Sequence, residues 1–318
     1  MIGSLAELEG RRVVVEVPAT TANLGAGFDC LGMALGMTNR IELEVCHDCD
    51  GQITLEVEGE GAGELGNDRG NRFIEGLETV IRAAGWVPEQ LGWKIRMANQ
   101  VPLSRGLGSS AAATVGGLLA ANALLLQPLS MREVLRLATA IEGHPDNAAA
   151  ALLGGFVVSA ALETGVESIR FDVPRDLRIV VFIPELRLST KSMRGVLPAT
   201  VPFADAVANL GRVALGVAGL AAGRNDLFGA LTQDRLHEPY RAAVFPQLPV
   251  MVAAARQAGA LGACLSGAGS TIIAFADSRA SVNRIAAAFS ATAAASDLPG
   301  RTEIMPVRNA GARVLSLE

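Results

Sequence analysis

Two short stretches hold the residues best suited to chemistry. The first is Pro102-Leu103-Ser104-Arg105-Gly106-Leu107-Gly108-Ser109-Ser110, which follows an alternating apolar segment and leads into an uncharged run beginning Ala111-Ala112. Glycines let the main chain approach an anion, and the first turn of a helix offers unpaired N–H groups at the positive end of its dipole. The hydroxyls of Ser109 and Ser110 could donate to phosphate or ligate magnesium. The stretch is not a Walker A loop, because no Gly-Lys-Ser/Thr follows. Nor is it a dinucleotide fingerprint, since a third glycine is missing and no acidic residue stands about twenty positions on. A phosphate cradle and an ordinary Gly-rich cap against small residues both fit it.

The second stretch is Glu142-Gly143-His144-Pro145-Asp146-Asn147, set inside the otherwise apolar run from Leu137 to Leu153. Carboxylates in apolar surroundings must be paired, hydrated or bound to metal. Magnesium takes one or two carboxylates and relies on substrate phosphates for the rest. A hydrophilic turn closing a helix is the alternative. Two weaker elements accompany these stretches. Asn23 to Asp29 places polar groups in a Gly-rich loop, and Cys264 to Ser270 combines glycines with hydroxyls.

The elements that must position these residues can be read from periodicity. Arg12–Val17 reads as a strand, and Ile41–Val45 and Ile53–Val57 as strands around the Asp50-Gly51 turn. Phe73 to Ala84 reads as a helix ended by Gly85, and Trp93, Ile95 and Met97 alternate in a further strand. A buried helix follows the Ser104–Ser110 loop, and Ser130-x-x-Glu133 is a capping box opening the next. The run Phe156–Ala160 is a strand, residues 165–178 look polar and turn-like, and Arg178–Pro184 is a short buried strand. Helices are expected near residues 203–222, 247–258 and 282–295, with a strand at residues 271–275. The chain divides into two α+β halves near residue 168.

Composition limits the function classes. Half of the 318 residues are hydrophobic and 19% are charged, which suits a globular enzyme. A net charge of −5 excludes a broad nucleic-acid surface, because phosphate neutralisation needs clustered Lys and Arg. No charge occurs between Arg105 and Arg132, but Gly116-Gly117 and Pro128 interrupt the segment. A core helix is expected there rather than a membrane span. The N-terminus has neither a basic start nor an apolar core, so cytoplasmic residence is expected. Cys46-His47-Asp48-Cys49 lacks the further ligands zinc needs, and reads as a strand end running into the Asp50-Gly51 turn.

Taken together and in order, the loop after the first strand, the Pro-x-x-x-Gly-Leu-Gly-Ser-Ser loop and Ser266-Gly-Ala-Gly-Ser-Thr271 resemble the three signature motifs of GHMP kinases. The resemblance spans roughly residues 13–275. Within that superfamily, residues 17–35 (VPATTANLGAGFDCLGMAL) are similar to the opening of homoserine kinases. So are EGHPDN, Ser189-Thr190-Lys191 with Arg194, and His237-Glu238-Pro239-Tyr240 with Arg241. Homoserine kinases usually carry Pro where Ala26, Ala150 and Ser270 stand, and the last could alter the rigidity of the C-terminal loop.

The resemblance implies a two-domain GHMP kinase fold of the α+β class. Residues 1–168 would form an ATP-binding domain similar to domain 2 of ribosomal protein S5, and residues 169–318 a ferredoxin-like domain. ATP would lie along Pro102–Ala112, with its phosphates on Gly106–Ser110 and its adenine near Asn71. Magnesium would be held by Ser110 and Glu142. The implied substrate is L-homoserine, with Arg194 and Arg241 on its carboxylate and Asn23 and Asp29 on its ammonium. His144, Thr190 and Gly267 would line the pocket. Asn147 would bind the reacting hydroxyl. Asp146 would act as general base or simply cap the following turn. A sister kinase for a prenyl precursor or a sugar, a non-catalytic nucleotide-binding protein, and an NAD-dependent oxidoreductase are the competing readings. Neither nucleic acid nor membrane is an expected partner, and a homodimer is left open.

Overall fold

The computed structural model describes residues 5–46, 49 and 51–318. β1 (Arg12–Ala22), β2 (Leu31–Cys46) and β3 (Ile53–Gly59) come first, then α1 (Arg72–Ala83), β4 (Gly92–Asn99) and α2 (Ser109–Leu124). α3 (Met131–Glu142) and α4 (Asp146–Leu153) lead to β5 (Phe156–Leu162) and β6 (Gly165–Phe171). The second half holds β7 (Arg178–Pro184), α5 (Thr190–Gly195), α6 (Phe203–Ala221), α7 (Phe228–Leu231), α8 (Glu238–Arg241) and α9 (Leu248–Gln257). β8 (Gly262–Leu265), β9 (Ile272–Ala276), α10 (Arg279–Ala295), β10 (Gly300–Pro306) and β11 (Arg313–Leu317) complete it.

Local chemistry explains several of these elements. In β4, Trp93, Ile95 and Met97 are buried while Lys94 and Arg96 face solvent, the period of two that a half-buried strand needs. α2 is buried nearly all round, which its Ala- and Gly-rich sequence permits. A Cβ on Gly117 would lie 2.0 Å from Phe73 O, and one on Gly76 would lie 2.5 Å from Thr114 O. α1 and α2 therefore pack main chain to main chain. The capping box of α3 forms in both directions: Ser130 Oγ accepts from Glu133 N, and the Glu133 carboxylate accepts from Ser130 N at 2.8 Å.

The first sheet runs β11-β1-β2-β4-β3, and β5 and β6 extend it from the start of β2. The second runs β10-β7-β9-β8. Three apolar layers result. α1 and α2 cover one face of the first sheet through Phe73, Leu77, Val115 and Trp93. Met33, Leu35, Phe156, Ile179, Val181 and Phe275 fill the space between the sheets. α9 and α10 close the second sheet over Val180, Phe182, Met251 and Phe289.

Several expectations change. β3 is no neighbour of β2, because β4 lies between them and pairs parallel with β3. Residues 165–171, expected to be turn-like, are strand β6, since all seven pair in register with β5 at the sheet edge. Pairing, not burial, makes that strand. β2 begins ten residues earlier than Ile41, and β11 returns to pair with β1. The apolar helix to be weighed as a span is α6, not the segment after Arg105. α6 is 19 residues long with a mean hydropathy of 1.3 and exposes Phe203, Val207 and Leu210. Its inner face is polar at Asn209, which donates to Ala26 O and Asp234 Oδ1. Cys46 and Cys49 are joined by a disulfide, whereas Cys30 and Cys264 are free thiols. The zinc reading involves His47 and Asp48, which lie outside the described residues.

Candidate active site

A cavity of about 420 Å³ opens where the two halves meet, within the range of small-molecule sites. The loop before α2 forms one wall. Gly108 takes the left-handed conformation (φ 70°) at the head of α2, and no side chain caps that helix. Its first N–H groups are therefore available to an anion. The loop is held from three sides: Thr20 N donates to Leu107 O, Ser266 Oγ to Gly106 O, and Thr271 N to Arg105 O. A Cβ on Gly106 would meet Ser266 O at 2.1 Å, so only glycine admits the C-terminal loop here. Leu103, Ser104, Arg105, Gly106, Leu107, Gly108, Ser109, Ser110 and Ala111 line the cavity. Pro102 and Ala112 are buried behind it. The Arg105 guanidinium is engaged by the carbonyls of Leu103, Pro184 and Glu185.

The acidic turn faces that loop. Gly143 ends α3 in the left-handed conformation and turns the chain into α4. Glu142 Oε1 accepts from Ser110 Oγ at 2.9 Å and from Thr114 Oγ1 at 2.7 Å. A hydroxyl and a carboxylate beside an uncapped helix N-terminus are hard oxygen donors that fit magnesium. Asp146, 2% exposed, accepts from Asn147 N through Oδ1 and shares a 2.7 Å contact with His144 Nδ1. That hydrogen bond raises the His144 pKa above its ordinary value. The amide of Asn147 is oriented by Thr20, whose hydroxyl donates to Oδ1 at 2.7 Å. Burial, with the charges of Asp146 and Asp29 nearby, pushes the Cys30 thiol up to about 11.

At the opposite end stand the groups expected to read an amino acid. Asp29 accepts both Nη atoms of Arg194, at 2.5 and 3.0 Å. Asn23 donates to Gly267 O and accepts from Asp29 N. Arg241 is 1% exposed, and burial lowers its pKa to about 10, which leaves it charged at neutral pH. Thr190 starts α5 beside the cavity, and the neighbouring Ser189 caps that helix by accepting from Ser192 N. Asn71 also lines the cavity, but its amide is occupied: Oδ1 caps α1 at Phe73 N and Nδ2 donates to Gly66 O. Asn39 and Asn99, partners across β2 and β4, also line the cavity, and Asn39 Oδ1 accepts from Gln100 N and Val101 N. Asn99 Oδ1 is buried without a hydrogen-bond partner among the described residues.

Thr20, Phe28 and His237 lie in stretches that carry the resemblance, but the sequence assigned them no role. The Phe28 ring lies 5.3 Å from the Arg194 guanidinium and 5.5 Å from that of Arg241, spacing two like charges by cation–π contact. Only their place beside or within recognised motifs could have drawn notice, because their contacts are long-range. Ser270 is fully buried, and its hydroxyl donates to Leu186 O, tethering the C-terminal loop to the segment before α5.

Comparison with known proteins agrees with this arrangement. Models of the GHMP kinase N-terminal and C-terminal domains match residues 71–155 and 217–295. A homoserine kinase of Moorella thermoacetica is 47% identical over 82% of this chain and 86% of its own length. The chain belongs to the GHMP kinases, in their homoserine kinase family. A homoserine kinase of Caldicellulosiruptor saccharolyticus is 44% identical over 83% of this chain and 84% of its own. The crystal structure of homoserine kinase from Cytophaga hutchinsonii superposes with a TM-score of 0.86 at 30% identity, covering 99% of both chains. As a GHMP kinase the protein is a phosphotransferase with ATP as donor, and its two-domain α+β fold is the one expected.

Proposed function

We propose that the protein transfers the γ-phosphoryl group of ATP to the side-chain hydroxyl of L-homoserine, giving ADP and O-phospho-L-homoserine, a step of threonine biosynthesis. The observation that carries this reading is the pairing, in one cavity, of a bare helix N-terminus with Arg241, Arg194 and Asp29. A substrate held there must carry an anion and a cation and still reach the phosphate loop. An amino acid with a terminal hydroxyl meets both demands, whereas mevalonate brings a carboxylate but no ammonium and a sugar brings neither. The relatives named above carry the same substrate in their names.

The N–H groups at the head of α2 would hold the triphosphate. Magnesium on Ser110 and Glu142 would neutralise phosphate charge. Arg241 and Arg194 would grip the carboxylate, since the guanidinium fork matches it. Asp29 and Asn23 would take the ammonium, with His144, Thr190 and Gly267 around it. Asn147, oriented by Thr20, would hold the reacting hydroxyl, and Asp146 would accept its proton. Phosphoryl transfer needs positioning and charge neutralisation more than a strong base, so Asp146 is the lesser contributor. Residues 1–168, completed in the first sheet by the rest of β6 and by β11, would serve as the nucleotide domain and the remainder of residues 169–318 as its closing partner, in the cytoplasm. The test is ADP release with homoserine, mevalonate, galactose and shikimate. Homoserine alone should support turnover, and preference for an uncharged alcohol would overturn the reading.

A further inference from the structure

His237 is fully buried at the start of α8, an expensive place for an imidazole unless both ring nitrogens are satisfied. They are. Nε2 lies 2.8 Å from Gly25 O, and a carbonyl can only accept, so Nε2 carries the proton. Nδ1 is then a bare lone pair, 3.1 Å from Arg241 Nη1, which can only donate. The two contacts demand the same neutral tautomer. Burial holds the ring in it, with a pKa lowered to about 4.

The consequence falls on Arg241. Its Nη1 donates to His237 Nδ1 and to Gly267 O at 2.8 Å, and its Nε donates to Met193 O at 3.3 Å. Among the described residues Nη2 has no partner, and Arg241 lines the cavity. Three contacts on two nitrogens fix the guanidinium plane and leave the remaining nitrogen for a ligand. Gly25 is packed closely against the second half: a Cβ there would meet Thr232 main-chain atoms at 2.6 Å, and the next residue, Ala26, donates its N–H to Leu231 O at 2.9 Å. The ring also packs against Phe28 at 5.2 Å.

We propose that His237 is a positioning residue, which relays the fixed Gly25 carbonyl to Arg241 and so sets the one guanidinium nitrogen that grips the substrate carboxylate. The inference rests on the carboxylate role of Arg241 given above. Two near-isosteric variants divide the ring's functions. His237→Gln can keep an N–H toward Gly25 O but loses the acceptor for Arg241. His237→Asn can present an amide oxygen to Arg241 but cannot reach Gly25 O.

The assay compares homoserine with 3-amino-1-propanol, which lacks the carboxylate, in wild type, both variants and Arg241→Ala. His237→Gln should raise KM for homoserine roughly tenfold, the size of one hydrogen bond to a charged group, with KM for ATP unchanged. His237→Asn should raise it less, and neither should alter the kinetics of 3-amino-1-propanol. A loss that is equal for both substrates, or that falls on ATP, would make His237 merely structural. If Arg241→Ala fails to distinguish the two substrates, the carboxylate reading itself falls, and the relay with it. The wild-type protein supplies an independent measurement, because it has only three histidines. Nitrogen-15 spectra at neutral pH should show His237 as the Nε2–H tautomer, and an Nδ1–H or imidazolium signal would overturn the relay even if the variants do not fold.

Discussion

Glu142 receives two hydroxyls on a single oxygen, from Ser110 and Thr114, and this fixes its carboxylate beside the head of α2. Glu142→Gln keeps the shape and removes the charge. It should lower kcat by on the order of a hundredfold, the cost of losing a charge-stabilising group. The dependence on magnesium should shift with it, and a magnesium titration showing unchanged turnover would refute the assignment. Asn147 depends on Thr20 in the same way. Thr20→Val keeps the volume but releases the amide, and should lower kcat several-fold while leaving KM for ATP untouched, on the scale of about 1 kcal/mol for one neutral hydrogen bond. Glu142 and Asn147 were legible in the sequence because they are polar interruptions in an apolar run. Thr20 was not, since it acts across 127 residues of chain and nothing local marks it. The same contact refines the reading of Gly108. A Cβ there would lie 1.8 Å from Thr20 Oγ1, so the glycine is required by packing as well as by any phosphate.

Elements with a local signature were read correctly, and those defined by pairing were not. The capping box at Ser130 and the alternation of β4 announce themselves within a few residues. β6 and the start of β2 carry no such period, because one is a polar edge strand and the other opens with Leu31–Met33 buried between β1 and β5. α8 adds a feature visible only in three dimensions. Glu238 is partly buried, and desolvation of its carboxylate raises its pKa from 4.5 to about 8, although it accepts from Leu265 N. Between those values the folded chain holds a proton that the unfolded chain has lost. Stability from this group is therefore complete below pH 4.5 and is lost as pH rises through 8, by up to ~1.4 kcal/mol per pH unit. His237 has the opposite sign, since its lowered pKa makes stability rise with pH from about 4 to 6.5. Above 6.5 only the Glu238 contribution remains of the two. Glu238→Gln should flatten the decline, so that urea midpoints of variant and wild type converge or cross between pH 6.5 and 8. Parallel curves would show that Glu238 is ionised in the folded protein.

On the scale of the whole molecule, the site exists only because two halves are held at a fixed distance. The sequence made the halves visible through their separate Gly-rich loops. It hid the joints, because β11 returns to β1 from the far end of the chain, and links such as Asn23 to Gly267 and Arg194 to Asp29 join residues more than 160 positions apart. Arg105 is the clearest of them. It sits in the loop before α2, where a cation invites assignment to ATP, but its Nε and Nη2 each donate at 2.7 Å to main-chain carbonyls of the second half, Pro184 and Glu185. Nη1 donates to Leu103 O within its own loop. A guanidinium so engaged has its fork turned toward the joint, and burial lowers its pKa. Arg105→Ala leaves the Pro184 carbonyl, on a buried residue, without this donor, which should cost about 1–3 kcal/mol of stability in urea unfolding. Arg105→Lys should recover only part, because one ammonium cannot reproduce the planar fork. KM for ATP should rise modestly, because the loop loosens, and its salt dependence should stay that of wild type. If Arg105 instead contacts the phosphates directly, the pattern reverses: stability is preserved, KM for ATP rises steeply, and the effect of salt on that KM diminishes because a phosphate-facing charge has gone.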